Sequence, residues 1–308
     1  MVKPGKVERY IMRKIEEEGA ILLALIDPDK TPFEKGAKIA EASYEAGADV
    51  ILVGGSIGAQ GLVLDKTVKM IRDKVDIPIV LFPGNVGTIT PYADAIYFMS
   101  LLNSRDVYWV STVHIQGAPI VKKTGIEPIP TAYIVLEPGR AVGWIGNANL
   151  VPRDRPDLAA ATALAGEYLG AHLVVMDSGS GAPSPAPPTL ISTVKSVISV
   201  PLIYGGGCKT PEQVRTTIEA GADGVQIGTA FEIDDGYEKT KETVAKMVAA
   251  VKEAGRKKDR KIKEERSKRS FIPIVRVPRF WKIKRKKKEK KDLASAIGEL
   301  IEKKMEGK

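Results

Sequence analysis

Along residues 1–255, short apolar runs alternate with longer amphipathic stretches. The runs occupy residues 21–27, 49–56, 77–84, 95–102, 132–137, 172–177, 201–207 and 224–229. Most are continuously apolar, the pattern of parallel strands buried on both faces. Between them, residues 32–46 and the Ala- and Leu-rich 156–169 carry helical spacing. Thr210-Pro211-Glu212 places an N-cap residue and an N1 proline ahead of a helix over 213–220. The segment Glu-Ala-Gly-Ala-Asp occurs at 45–49 and again at 219–223, each time as a helix end, a glycine stop and an entry into a strand. Eight strand–helix units with this punctuation predict a (β/α)8 TIM barrel; an open doubly wound sheet is the alternative the pattern leaves. Residues 104–131 are less regular and are expected to hold a helix and an excursion from the barrel.

Charge then divides the chain. Residues 256–308 hold 22 Lys and Arg against eight Asp and Glu, a net of +14, and residues 1–255 hold 25 against 30, a net of −5. The expected organisation is therefore a barrel domain over 1–255 and a basic tail over 256–308 that ends in a short helix near 292–305. Phe271, Ile272, Phe280 and Trp281 interleave with basic residues in that tail. Three roles stay open for it: binding anionic lipid headgroups, binding nucleic acid through phosphates, or a solvated charge tract. The single cysteine, Cys208, forbids an intrachain disulfide and fits a reducing interior. The apolar run at 21–26 is too short to span a bilayer, so the expectation is a cytoplasmic protein, peripheral to the membrane if the tail binds lipid.

In a TIM barrel, functional groups collect at the C-terminal strand ends. Asp27 follows the first run and is placed to ligate a hard cation such as Mg²⁺, or to cap the Asp-Pro turn. Gly54-Gly55-Ser56 follows the second; its glycines admit a ligand to the backbone and the Ser56 hydroxyl can assist a metal or phosphate, although such a turn is also ordinary. Tyr204-Gly205-Gly206-Gly207 and Ile227-Gly228-Thr229 close the last two runs, where barrels cradle phosphate on backbone N–H groups. Asp177, followed by Ser178-Gly179-Ser180-Gly181, adds a carboxylate that can act as a general base or simply bind hydroxyls. His114, His172 and Cys208 suggest no triad and no zinc site.

These residues resemble one known family. Leu25 to Lys30 (LIDPDK), Val53 to Ser56 (VGGS), Tyr133 to Gly139 (YIVLEPG), Ser178 to Ala182 (SGSGA) and Gly205 to Gly207 are similar, in that order, to the geranylgeranylglyceryl phosphate synthases. The resemblance spans residues 8–252. It implies transfer of a geranylgeranyl group from its diphosphate to the 3-hydroxyl of sn-glycerol 1-phosphate. It further implies Mg²⁺ at Asp27 and Ser56, and glycerol phosphate bound by Val175, Met176, Asp177, Ser178, Gly179, Ser180, Gly181, Gly206, Gly207, Gly228 and Thr229. Asp177 falls where the family usually has a glutamate base, and residues 95–104, with Tyr97 and Phe98, match the wall of the prenyl groove. A homo-oligomer, dimer or hexamer, is implied as well. Two other functions compete: a sugar-phosphate isomerase or aldolase, which lacks a Schiff-base lysine at a strand end, and a nucleic-acid-binding protein with an inactive barrel.

Overall fold

A computed structural model describes residues 3–55, 60–231 and 236–270. Eight parallel strands form a closed barrel in sequence order: β1 Ile21–Ile26, β2 Val50–Gly54, β3 Ile79–Phe82, β4 Ala95–Leu101, β5 Glu127–Val135, β6 Leu173–Asp177, β7 Leu202–Gly205 and β8 Gly224–Ile227. Closure is made by β8 against β1, with Ile21 opposite Gly224. Successive strand residues alternate between two cores. Leu22, Ala24 and Ile26 pack outward under the helices. Ile21 and Leu23 point inward with Val50, Leu52 and Ile203.

Helix α1 (Lys6–Glu18) precedes β1 and inserts Val7 and Ile11 into that inner core. The Glu127 carboxylate accepts from the N–H groups of Val7 and Glu8 at 2.7 and 2.9 Å, satisfying donors that the first helical turn leaves free. Helices α2 (Glu34–Glu45) and α3 (Gly61–Arg72) follow β1 and β2. No α-helix follows β3; a 3-10 turn at Val86–Thr88 leads into β4. After β4, a π-helical segment at Tyr108–Thr112 runs into α4 (Val113–Thr124). The expected excursion is thus the helical unit of β4. Helices α5 (Arg140–Ile145) and α6 (Pro156–Tyr168) follow β5, α7 (Pro188–Val197) follows β6, and α8 (Pro211–Glu219) follows β7. Thr210 and Gln213 make the capping box at the start of α8, as the sequence predicts.

Strand β5 begins at Glu127, five residues before the apolar run that predicts it, because Pro128 and Pro130 mask its start. In a parallel strand, alternate residues address alternate neighbours. Glu127 N donates to Asp94 O beside β4, so the two prolines face the β6 side. There β6 begins only opposite Thr131, so their missing N–H groups break no ladder bond.

The Asp that ends each Glu-Ala-Gly-Ala-Asp segment ties neighbouring strands together. Asp49 accepts from Leu22 N at 2.8 Å and Asp223 from Leu202 N at 2.9 Å. Asp94, outside the repeat, does the same for Ile79 N at 2.8 Å. Each aspartate meets a cation: Asp49 meets Lys252, Asp94 meets Arg72, and Asp223 meets Lys195 and Lys258. Lys252 and Lys258 lie on α9 (Tyr237–Ser270), which continues past residue 255. The first compact unit runs to Ile262 and the second covers Lys263–Lys308.

Candidate active site

At the C-terminal strand ends a cavity of about 480 Å³ opens. Its rim is polar on the side of β6, β7, β8 and β1. Asp27, Asp177, Ser180, Gly181, Gly206, Gly207, Gly228 and Thr229 all line it. The opposite wall is apolar: Phe82, Tyr97, Phe98 and Met99 face it with Trp109 and Val113 from the helical unit after β4. Phe82 meets the rings of Tyr97 and Tyr133 edge to face, with centroids 5.8 and 5.5 Å apart. The missing helix after β3 leaves this side to a short turn, and the cavity extends along it to Asn85, Val86 and Ile89.

The glycine turn after β7 has a definite geometric reason. Gly206 and Gly207 both have left-handed φ, 87° and 79°. A Cβ on Gly206 would come within 2.9 Å of Gly179 O, and one on Gly207 would collide with the backbone of Ser184. Glycine is required there by conformation and by space together. Ser180 Oγ and Thr229 Oγ1 stand 2.9 Å apart and link the loop after β6 to the end of β8.

Asp177 is buried at the end of β6 and accepts three hydrogen bonds. Tyr133 Oη donates to Oδ2 at 3.1 Å, Gly179 N to Oδ1 at 2.6 Å, and Gln226 Nε2 to Oδ2 at 3.4 Å. Burial raises its pKa above the ordinary carboxylate value, while the donors from Gly179, Tyr133 and Gln226 oppose that rise.

Asp27 sits across the rim at the end of β1. Its Oδ2 pairs with Lys30 Nζ at 2.8 Å. Its Oδ1 is buried without a hydrogen-bond partner among the described residues. Burial and the neighbouring Asp29 push its pKa up to about 7 despite Lys30. A buried, unmatched carboxylate oxygen at a cavity rim fits a divalent cation. Among the described residues no group of three or more His, Cys, Asp and Glu side chains could hold a metal by itself. A cation at Asp27 would find few protein ligands among the described residues and would fill its shell largely with substrate oxygens and water, the habit of Mg²⁺.

Four predicted site residues, Val175, Met176, Ser178 and Gly179, are not among those lining the cavity. Ser56 falls outside the described residues. Met176 faces outward into the layer between strands and helices, and Val175 packs in the inner core, so neither side chain reaches the cavity. The alternation along β6 dictates this, since its neighbour Asp177 takes the rim position. Ser178 and Gly179 are buried beside the rim; Ser178 Oγ bonds Tyr204 Oη at 2.9 Å, and Tyr204 Oη accepts from Ala186 N at 2.6 Å. Cys208 is buried and its thiol is pushed up to about 11 by burial, the state of an inert thiol. Tyr133, Gln226 and Lys209 line the cavity and sequence reasoning passed over them. Gln226 carried a signal, being the one polar residue in the run Val225 to Ile227. His114 also belongs to the wall: its ring packs edge to face on Phe98 at 4.9 Å and its Nε2 lies 2.7 Å from Met99 O.

Fold and site together define a class, the (β/α)8 barrels with a glycine-rich rim at the C-terminal strand ends, here joined to an apolar chamber. Within that class the chain belongs to the PcrB family, which it matches over residues 12–251. It is 50% identical over 252 residues to a geranylgeranylglyceryl phosphate synthase of Thermococcus gammatolerans, covering 82% of this chain and 100% of that protein. The crystal structure of (S)-3-O-geranylgeranylglyceryl phosphate synthase from Thermoplasma acidophilum, in complex with sn-glycerol-1-phosphate, superposes with a TM-score of 0.77 at 37% identity. That match covers 82% of this chain and 100% of the other. Tryptophan synthase from M. tuberculosis, at 16% identity and a TM-score of 0.51, shares the barrel fold alone.

Proposed function

We infer that the chain is a geranylgeranylglyceryl phosphate synthase, which moves a geranylgeranyl group from its diphosphate to the 3-hydroxyl of sn-glycerol 1-phosphate and releases diphosphate. The observation that carries this reading is the composition of one cavity: a glycine rim, two carboxylates and an aromatic, apolar wall open into the same space. A sugar phosphate would use the rim and leave the wall without purpose.

In this reading the N–H groups around Gly206, Gly207, Gly228 and Thr229 hold the acceptor by its phosphate. Fixing that end orients the 3-hydroxyl toward Asp177 and supplies much of the entropy of the encounter in advance. Asp177 takes the hydroxyl proton as the oxygen bonds to the allylic carbon and the carbon–diphosphate bond breaks. Asp27 and Ser56 are the residues that would hold a divalent cation. Such a cation would supply neutralisation of the charge that builds on the departing diphosphate. The apolar wall takes the prenyl chain, whose burial is worth about 0.8 kcal/mol per CH2 before the costs of ordering it.

No helix among the described residues is long and apolar enough to cross a membrane. The reading places the enzyme in the cytoplasm as a homo-oligomer, dimer or hexamer, with the basic tail at anionic lipid and no nucleic-acid partner. The test is direct: supply sn-glycerol 1-phosphate, geranylgeranyl diphosphate and Mg²⁺, extract lipid, and identify products by mass. The ether-linked geranylgeranylglyceryl phosphate is expected, and only with the cation present. Hydrolysis of the diphosphate without ether formation would refute the reading.

A further inference from the structure

Gln226 is a polar side chain inside an apolar strand, and packing does not account for it. It is 4% exposed in β8. Strand register sets Asp177, Gly205 and Gln226 side by side across β6, β7 and β8. Gly205 lacks the left-handed φ of the two glycines that follow it, so its backbone does not demand glycine. Space does: a Cβ there would stand 2.7 Å from Gln226 Nε2. The first glycine of the triple-glycine turn therefore serves Gln226. It clears the path by which this side chain passes over β7 and reaches Asp177 Oδ2. An ionised carboxylate only accepts, which fixes the amide with its NH2 toward Asp177. Gln226 Oε1 is then left buried, with no hydrogen-bond partner among the described residues, in a side chain that lines the cavity. Buried acceptors are nearly always matched, and an unmatched one beside a substrate cavity points to a ligand donor.

We propose that Gln226 is a substrate-positioning residue, whose Nε2 holds Asp177 and whose Oε1 accepts a hydrogen bond from a hydroxyl of the glycerol phosphate acceptor. The inference rests on the function proposed above. It assigns the acceptor two anchors, its phosphate at the glycine turns and a hydroxyl at Gln226. It also predicts discrimination against phosphorylated acceptors that lack the hydroxyl, because the amide oxygen would stay unmatched.

The test compares full-length wild type with Gln226→Leu, which keeps the bulk and removes both polar atoms. Calorimetric affinity for sn-glycerol 1-phosphate should fall about tenfold, the scale of one lost hydrogen bond in a buried site. The KM for geranylgeranyl diphosphate should stay within about twofold. The acid limb of kcat/KM should move to higher pH, since Asp177 loses a donor that favours its charged form. Gln226→Glu, which sets a second carboxylate beside Asp177, should move that limb further and serves as the reading if the leucine variant does not fold. A folded Gln226→Leu enzyme with wild-type affinity and an unmoved acid limb would overturn the proposal. So would an equal loss of affinity for both substrates, the mark of a merely structural residue. Wild type that neither binds glycerol phosphate nor forms the ether would instead sink the functional reading itself.

Discussion

The two rim carboxylates differ in how the protein treats their charge. Asp177 is buried yet receives three donors, whereas Asp27 has one oxygen unmatched among the described residues and has its pKa raised to about 7, chiefly by burial. The consequence for Asp27 has a definite sign. From its ordinary value of 3.8 up to about 7, the native state holds a proton that the unfolded chain has released. Its contribution to stability is complete below the lower value and is lost as pH rises through the upper one. In chelator-treated protein, thermal melts across this window should show wild type losing stability relative to Asp27→Asn as pH rises. Parallel pH profiles for the two would contradict the assignment. In turnover, Asp27→Ala should lose roughly a hundredfold or more of the Mg²⁺-dependent rate while its fold survives. At this scale the sequence exposed the carboxylates and the glycines, since each follows an apolar run. It concealed what Tyr133 and Gln226 bind, because a polar group inside a strand shows its partner only once neighbouring strands lie side by side.

Elements were legible wherever one local signal dominated. All eight strands appear in the apolar runs, and Thr210-Pro211 announced α8. Strand β5 starts early because its prolines are harmless only in the register the barrel imposes, which no local pattern reveals. The absence of an α-helix after β3 was equally invisible, and that absence helps to shape the cavity. The Glu-Ala-Gly-Ala-Asp repeat proved to be more than punctuation, since each aspartate bonds a neighbouring strand and a cation on a helix. Asp223 is 6% exposed and holds both Lys195 and Lys258. Asp223→Ala should cost about 2–3 kcal/mol in urea unfolding, because it leaves the buried Leu202 N–H without its acceptor and two partly buried lysines without their counter-ion. A loss under about 1 kcal/mol would show that water reaches those lysines freely.

At the scale of the whole molecule, charge separates an acidic barrel from a basic C-terminal region. The boundary the composition suggests, at residue 256, falls inside α9, and Lys258 beyond it is paired to Asp223 of the barrel. A tail deletion should therefore begin after Ser270. Compared with that shortened protein, the full chain should sediment more strongly with vesicles containing anionic lipid, and the difference should shrink as salt screens the charges. Equal sedimentation of the two would remove the lipid role of the tail and leave the barrel's chemistry untouched.

The catalytic account depends on geometry at one mouth, where amides from β7 and β8 must grip one phosphate while Asp27 faces another. A crystal structure with sn-glycerol 1-phosphate, a non-hydrolysable prenyl diphosphate analogue and Mg²⁺ measures this directly. The account predicts the acceptor phosphate at Gly206, Gly207, Gly228 and Thr229, its 3-hydroxyl within hydrogen-bonding reach of Asp177, the metal at Asp27 and the prenyl chain along Tyr97 and Phe98. Density showing the two phosphates at opposite ends of the barrel, or the prenyl chain outside the aromatic chamber, would contradict it.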